Sequence, residues 1–228
     1  MKKIALAASL AGIAFAISAF VAPKSTTTTN ADAFEGVVTY SVSVDNPQAA
    51  AMMQNSSVKV YIKGDRTKTM VDMGMSKQIY FTDKKTPDDP IILVEVMGNK
   101  YQLKNDKTKK DDKSPDIKYV DSTKTIAGYV CKRADITVTG KDGQSYISNV
   151  YYTTELPYYE GGSGQFKGLK GFPMEYSMKQ RGMTVSMTAT KVEKQTVSED
   201  AFKVPSGYAL MTAEEMSADI QKKMSGGN

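Results

Sequence analysis

The sequence predicts a mainly β protein: a curved antiparallel sheet or half-barrel with two or three short helices. Three observations predict it. From Gly36 onward, apolar residues recur at every second position, the mark of strands that bury one face. Glycine-containing turn signals separate these runs at short intervals. Helical periodicity is confined to two short stretches.

The strands follow in order. Val38, Tyr40, Val42 and Val44 alternate with Thr39, Ser41 and Ser43. Val58, Val60 and Ile62 alternate with Lys59, Tyr61 and Lys63, and Gly64-Asp65 turns the chain into residues 66–73. Residues 78–82 make a short strand. Residues 91–97 and 100–103 form a hairpin joined at Gly98-Asn99. Residues 117–121 and 126–139 follow, and Gly128 inside the second run suits a bulge or a close backbone approach. Asp142-Gly143 tolerates the positive φ angles of a tight turn and leads into residues 144–154. Residues 174–180, a turn at Arg181-Gly182 and residues 183–194 make the last hairpin. Between nine and eleven strands on this reading form one sheet, and a sheet that long tends to curl.

The helices carry their own signals. Asn46-Pro47 opens a short helix through Gln54, with proline in the first turn and Ala49, Ala50 and Ala51 behind it. Thr212 and Glu215 form a capping box, and Met216, Ile220 and Met224 then recur every four residues. Pro205-Ser206-Gly207 turns the chain just before that helix.

The N-terminus reads as an export signal. Lys2 and Lys3 precede Ile4–Ala22, nineteen residues without a charge. Cleavage fits after Ala19 or as late as Ala33, so residues 1–22 are read as signal and 23–33 as a polar linker. An uncleaved anchor is the alternative, since nineteen apolar residues just span a bilayer core of about 30 Å. Residues 34–211 are then one β domain, and 212–228 a C-terminal amphipathic helix and tail.

Composition excludes much chemistry. The chain has no histidine and one cysteine. Ser-His-Asp and Cys-His constellations are therefore impossible, and a zinc site lacks its usual ligands. No cofactor or metal is called for. The net charge of +5 is modest, and the lysines of residues 104–113 are interleaved with acids, so no nucleic-acid footprint forms. Cys131, alone, forms no internal disulfide and reads as a small buried hydrophobe or, alternatively, an intermolecular link.

Two features point to binding. Met174, Tyr176 and Met178 alternate on one strand, and Met183, Val185 and Met187 on its hairpin partner, so thioethers line one sheet face. Met70, Met73 and Met75 extend the idea. Methionine is unbranched and polarizable and adapts to irregular apolar shapes. Such a face suits an acyl chain, or equally the underside of a helix in an ordinary core. Copper(I) also takes thioethers, but no histidine or tight methionine cluster supports it. The second feature is Gly161-Gly-Ser-Gly164 with Gly168 and Gly171, which matches neither a nucleophile elbow nor a phosphate loop. It reads as a long connection, or as a flap that brings Tyr158, Tyr159, Phe166 and Phe172 over a ligand.

The blocks Ile126-Ala-Gly-Tyr-Val-Cys-Lys132, Gly168-Leu-Lys-Gly-Phe-Pro-Met174 and Phe202-Lys-Val-Pro-Ser-Gly-Tyr208 resemble, in this order, a family of secreted bacterial proteins. That family is described only as a domain of unknown function. It is similar in architecture to the periplasmic lipoprotein-carrier (LolA-like) half-barrels. The resemblance implies a concave sheet, helices at its mouth and a hydrophobic cavity, and carries no catalytic residues. The expected function is non-catalytic binding of a lipid or acyl chain by a periplasmic or secreted protein. The alternative is an envelope interaction module with a protein partner and no small ligand.

Overall fold

The computed structural model describes residues 34–83, 85–86, 89–105, 115–139, 145–157, 166–180 and 182–226. The export signal, the linker, the Asp142-Gly143 turn, the lysine-rich residues 106–113, and Tyr158, Tyr159 and Gly161–Gly164 lie outside them.

Among the described residues, twelve strands form one curved sheet. They are β1 (Glu35–Val44), β2 (Ser57–Lys63), β3 (Arg66–Asp72), β4 (Ser76–Asp83), β5 (Ile91–Val96), β6 (Asn99–Leu103), β7 (Asp116–Ile126), β8 (Tyr129–Thr139), β9 (Ser145–Thr153), β10 (Phe172–Gln180), β11 (Met183–Lys194) and β12 (Ala209–Met211). The spatial order is β12-β6-β5-β4-β3-β2-β1-β11-β10-β9-β8-β7. Sequential hairpins build each half, and β1 against β11 joins the halves at the centre. Helix α1 (Pro47–Met52) follows β1, with the Asn46 side chain accepting the Ala49 N–H as its cap. Helix α2 (Ala213–Ser225) carries the full capping box: Thr212 accepts from Glu215 N at 3.1 Å, and Glu215 accepts from Thr212 N at 2.8 Å.

Three details depart from the sequence expectation. Residues 117–121 and 126–139 are not two separate strands. β7 runs on to Ile126, and Ala127-Gly128 is its hairpin turn to β8, both residues at positive φ (48° and 86°). Ala127 disguises the turn because an L-residue with a side chain seldom takes that conformation. The β5–β6 turn uses Met97 and Gly98, at φ 51° and 78°, one residue earlier than Gly98-Asn99. The sheet also gains β12, three residues long and parallel to β6. A parallel neighbour needs a crossover, and residues 195–208 supply it.

The two faces of the sheet are buried differently. The inner face carries the main core, from Val38, Tyr40, Val58, Val60 and Ile62 through Tyr176 and Met187 to Val150, Ala134 and Ile136. The outer face is mostly charged and hydroxylated, with a small second core of Ile79, Phe81 and Leu93. The 195–208 crossover covers that second core. Lys63 Nζ donates to Val197 O at 2.7 Å, Arg66 pairs with Glu199 at 2.7 Å and stacks 4.9 Å from the Phe202 ring, and the Tyr208 hydroxyl donates to Glu95.

Candidate ligand-binding face

The β10–β11 hairpin builds the candidate face. Gly182, at φ 79°, supplies the turn conformation. The register then pairs Tyr176 with Met187, Met178 with Val185 and Gln180 with Met183. Directly opposed residues of an antiparallel pair share a face, so all the predicted positions of this hairpin point inward together. Met174, Tyr176, Met178, Val185 and Met187 are all buried, whereas Met183, at the hairpin end, is half-buried. β1 continues the wall, with Val42 opposite Met187 and Val44 opposite Val185.

Polar atoms within this wall are spent on its own cohesion. The buried Tyr176 hydroxyl donates to Met187 Sδ at 2.8 Å, and Tyr40 Oη donates to Pro173 O at 2.6 Å. Ser148 Oγ ties β9 to β10 by donating to Ser177 O at 2.5 Å. Burial pushes the Tyr176 and Tyr80 phenols well above their usual range, so both stay protonated hydrogen-bond donors. Burial likewise raises the Cys131 thiol to about 11. Cys131 is a neutral core side chain, as its place in an apolar strand suggested.

A loop covers the face, where the sequence left room for a helix. Leu156, Phe166 and Leu169, from the β9–β10 connection, all join the main core. The Phe166 ring meets Tyr176 edge-on at 4.7 Å between centroids, and Tyr176 meets Tyr40 at 6.3 Å. Tyr119 on β7 holds the far end of the connection: its hydroxyl donates to Gly168 O and accepts from Lys170 N, both at 3.2 Å. Phe172, Pro173 and Met174 are buried in succession, which plain alternation forbids. The register shift between Pro173 and Glu175 permits it. Gly171 is required just before, because a Cβ there would sit 2.5 Å from the Tyr152 ring and 2.6 Å from Thr153 O.

Of the predicted positions, Phe166, Phe172, Met174, Tyr176, Met178, Val185 and Met187 therefore meet in the main core, Met183 lies half-buried at the hairpin end apart from it, and Tyr158 and Tyr159 lie outside the described residues. The additional methionines divide. Met70, on β3, packs on the outer cluster; Met73, just past the end of β3, packs on the main core; and Met75, in the turn to β4, is exposed. Sequence reasoning missed the wall of β3 and β4: Thr67, Thr69, Gln78, Tyr80 and Thr82, all buried. Polar residues at alternate positions ordinarily mark a solvent face, and here they face inward. Among the described residues, no group of His, Cys, Asp and Glu is placed to hold a metal ion.

No protein-family model matches the sequence. No curated protein matches it either. The described residues form a curved-sheet protein with an apolar inner face, and several solved structures are similar to it to different degrees. PNGF-II is similar over 83% of this chain, with a TM-score of 0.55 and 17% identity. This chain spans only 33% of PNGF-II, so the likeness is to one part of that protein and concerns the fold alone. A LolA superfamily protein, NE2245 from Nitrosomonas europaea, is similar over 76% of this chain and 91% of its own, with a TM-score of 0.33 and 9% identity. The Mycobacterium tuberculosis lipoprotein LppX is similar over 72% and 89%, with a TM-score of 0.33 and 10% identity.

Proposed function

We propose that this is an exported, non-catalytic envelope protein that binds a hydrophobic ligand, a lipid or acyl chain, against the inner face of its sheet. The observation that carries the reading is the continuity of that face. From Val38 to Leu103, the inward positions of β1–β6 hold Val, Ile, Leu, Tyr, Thr, Ser, Gln and Asn and no charged residue. β10 and β11 add Met174, Tyr176, Met178, Met183, Val185 and Met187. Burial of ligand against such a wall is worth about 25 cal/mol per Å² before entropy and desolvation costs.

The ligand enters by displacing the β9–β10 connection. Among the described residues, this connection is held by side-chain contacts such as Phe166 on Tyr176 and by the Tyr119 hydroxyl, whereas the wall beneath is held by strand ladders. The cover is thus the element that opens first. Native mass spectrometry of the protein purified from its own periplasm without detergent tests the reading. An extra mass that organic extraction releases as an apolar compound supports it. Met183→Glu, at a half-buried position at the hairpin end, should reduce the adduct. A bare polypeptide from repeated preparations overturns it.

A second reading, an interaction module for an envelope protein partner, is favoured by the sheet rim. Met75 and Met97 sit on adjacent hairpin tips, joined by Met97 N donating to Met75 O at 3.5 Å, and both are more than half exposed. Crosslinking at these tips that captures a single protein species, with no ligand mass, would favour this reading.

A further inference from the structure

The two ends of the β1–β6 half differ in charge. Antiparallel pairing puts the β1–β2, β3–β4 and β5–β6 connections at one end, and the β2–β3 and β4–β5 connections at the other. At the first end, residues 46–56, 73–75 and 97–98 hold five methionines and no charged residue. At the second end the connections carry Asp65, Lys85 and Asp89. The uncharged end is one surface. Met97 N donates to Met75 O at 3.5 Å, and both residues are exposed. Lys223 Nζ donates to Asn99 Oδ1 at 2.8 Å, which brings the end of α2 and the exposed Met224 beside them. A belt of mixed charge follows. Lys59, Lys77 and Lys100 lie within the first three residues of their strands, and Asp72 and Glu95 within the last two of theirs. With Asp45, Asp219, Lys222 and Lys223 the two signs nearly balance.

We propose that this end docks on a zwitterionic lipid surface. Met75, Met97 and Met224 enter the interface, and the belt behind them meets the headgroups. Thioethers are flexible and adapt to a fluid apolar layer. A belt of both signs matches the phosphate and ammonium groups of zwitterionic headgroups, and lysine stems extend past apolar surface to reach them. The opposite end could enter only by stripping water from its charges. A protein partner is the alternative occupant, but protein interfaces are anchored by Trp, Tyr and Arg, and the three uncharged connections hold none of these. The inference concerns the outside of the molecule and stands whether or not the inner face takes a ligand.

The chain has no tryptophan, so single-tryptophan variants of the soluble exported protein report on each end. Met75→Trp marks the uncharged end and Lys85→Trp the charged one. Each is mixed with phosphatidylcholine vesicles whose acyl chains are brominated near the headgroup. Met75→Trp emission should shift to the blue and be quenched, and Lys85→Trp emission should not change. In vesicle flotation, Met75→Asp combined with Met97→Asp should weaken binding on the order of 100-fold, whereas Met75→Leu with Met97→Leu should keep it. Salt at 0.5 M should leave wild-type binding within about 2-fold, since its drive is apolar. Circular dichroism melts check that every variant folds. Equal responses from the two reporters, no response from Met75→Trp, or binding that needs anionic lipid and is lost in salt overturns the proposal. So does an end that ignores vesicles while crosslinking at Met75 captures a single envelope protein, which would give this surface to the protein partner.

Discussion

The same twelve-stranded sheet buries its two faces by different means, and the contrast separates function from anchoring. Inside, the core runs from β4 across the central β1–β11 pair to β7, and a loop closes it. Outside, a small cluster of Ile79, Phe81 and Leu93 is buried, with Tyr208 at the end of the 195–208 crossover packed against it. Elsewhere the outer face shows Lys59, Glu175 and Lys191, as a solvated face should. Lys68 is the intermediate case. It lies between the Tyr61 and Phe81 rings at 5.8 and 5.5 Å, and burial lowers its pKa. A curved sheet thus concentrates its apolar surface on one side, and the crossover fastens the edge strand β12 from the other.

Core truncations probe that contrast most strongly. Phe172→Ala removes a ring that is 1% exposed within the continuous core, and should cost about 3–5 kcal/mol. Leu93→Ala, in the thin outer cluster, should cost about 2 kcal/mol, because the crossover can settle into the gap. Urea denaturation midpoints compare the two. Equal losses would mean that the crossover is as rigid as the core. Met187→Leu, nearly volume-conserving, should cost under about 1.5 kcal/mol even though it removes the sulfur that accepts the Tyr176 hydroxyl. A larger loss would make that hydrogen bond a principal tie of the wall.

Next in size is a kinetic contrast. The Cys131 thiol is fully buried and its pKa is raised to about 11, so little thiolate exists at pH 8. Iodoacetamide should leave it unmodified over the time in which the urea-unfolded chain is fully alkylated. Labelling of the folded protein at a similar rate would show that β8 opens readily, and that the inner face is far less stable than its burial implies.

Much of this was legible in the sequence, and the misses have physical causes. The β10–β11 hairpin was readable because its inward residues are apolar and its outward ones are Glu175, Ser177, Thr184 and Ser186. β4 defeats the same reasoning. Its apolar residues Ile79 and Phe81 face the crossover, and its inward ones are Gln78, Tyr80 and Thr82. Both faces are buried there, so alternation no longer tells inside from outside. β12 was missed because three residues beside a parallel partner carry no periodic signal. The loop cover was half visible: Phe166 and Phe172 stood out, while Leu156 and Leu169 gained their meaning only when the sheet curved to meet them.

The smallest expected effect lies in the tether of the crossover. Lys63 pairs with Glu35 at 3.0 Å and Glu199 at 3.3 Å, and Arg66 completes the cluster on Glu199. Hydrogen bonds from Lys63 lower the Glu35 carboxyl, and those from Arg66 and Lys63 lower Glu199. Carboxylates held below their usual pKa contribute fully above the usual value near 4.5 and lose that contribution as pH falls through the lowered one. Lys63 is raised, chiefly by Glu35, so its share is full below 10.5 and fades as pH rises through the raised value. The tether is therefore complete across neutral pH. It is exposed to solvent, so salt screens it. Hydrogen exchange in a peptide spanning residues 195–208 should quicken in Glu199→Gln at low salt, and the wild-type chain should approach the variant at 0.5 M salt. Exchange in β10 and β11 should not change in either. If it does, the outer tether and the inner face are coupled, and the crossover helps govern the ligand-binding side.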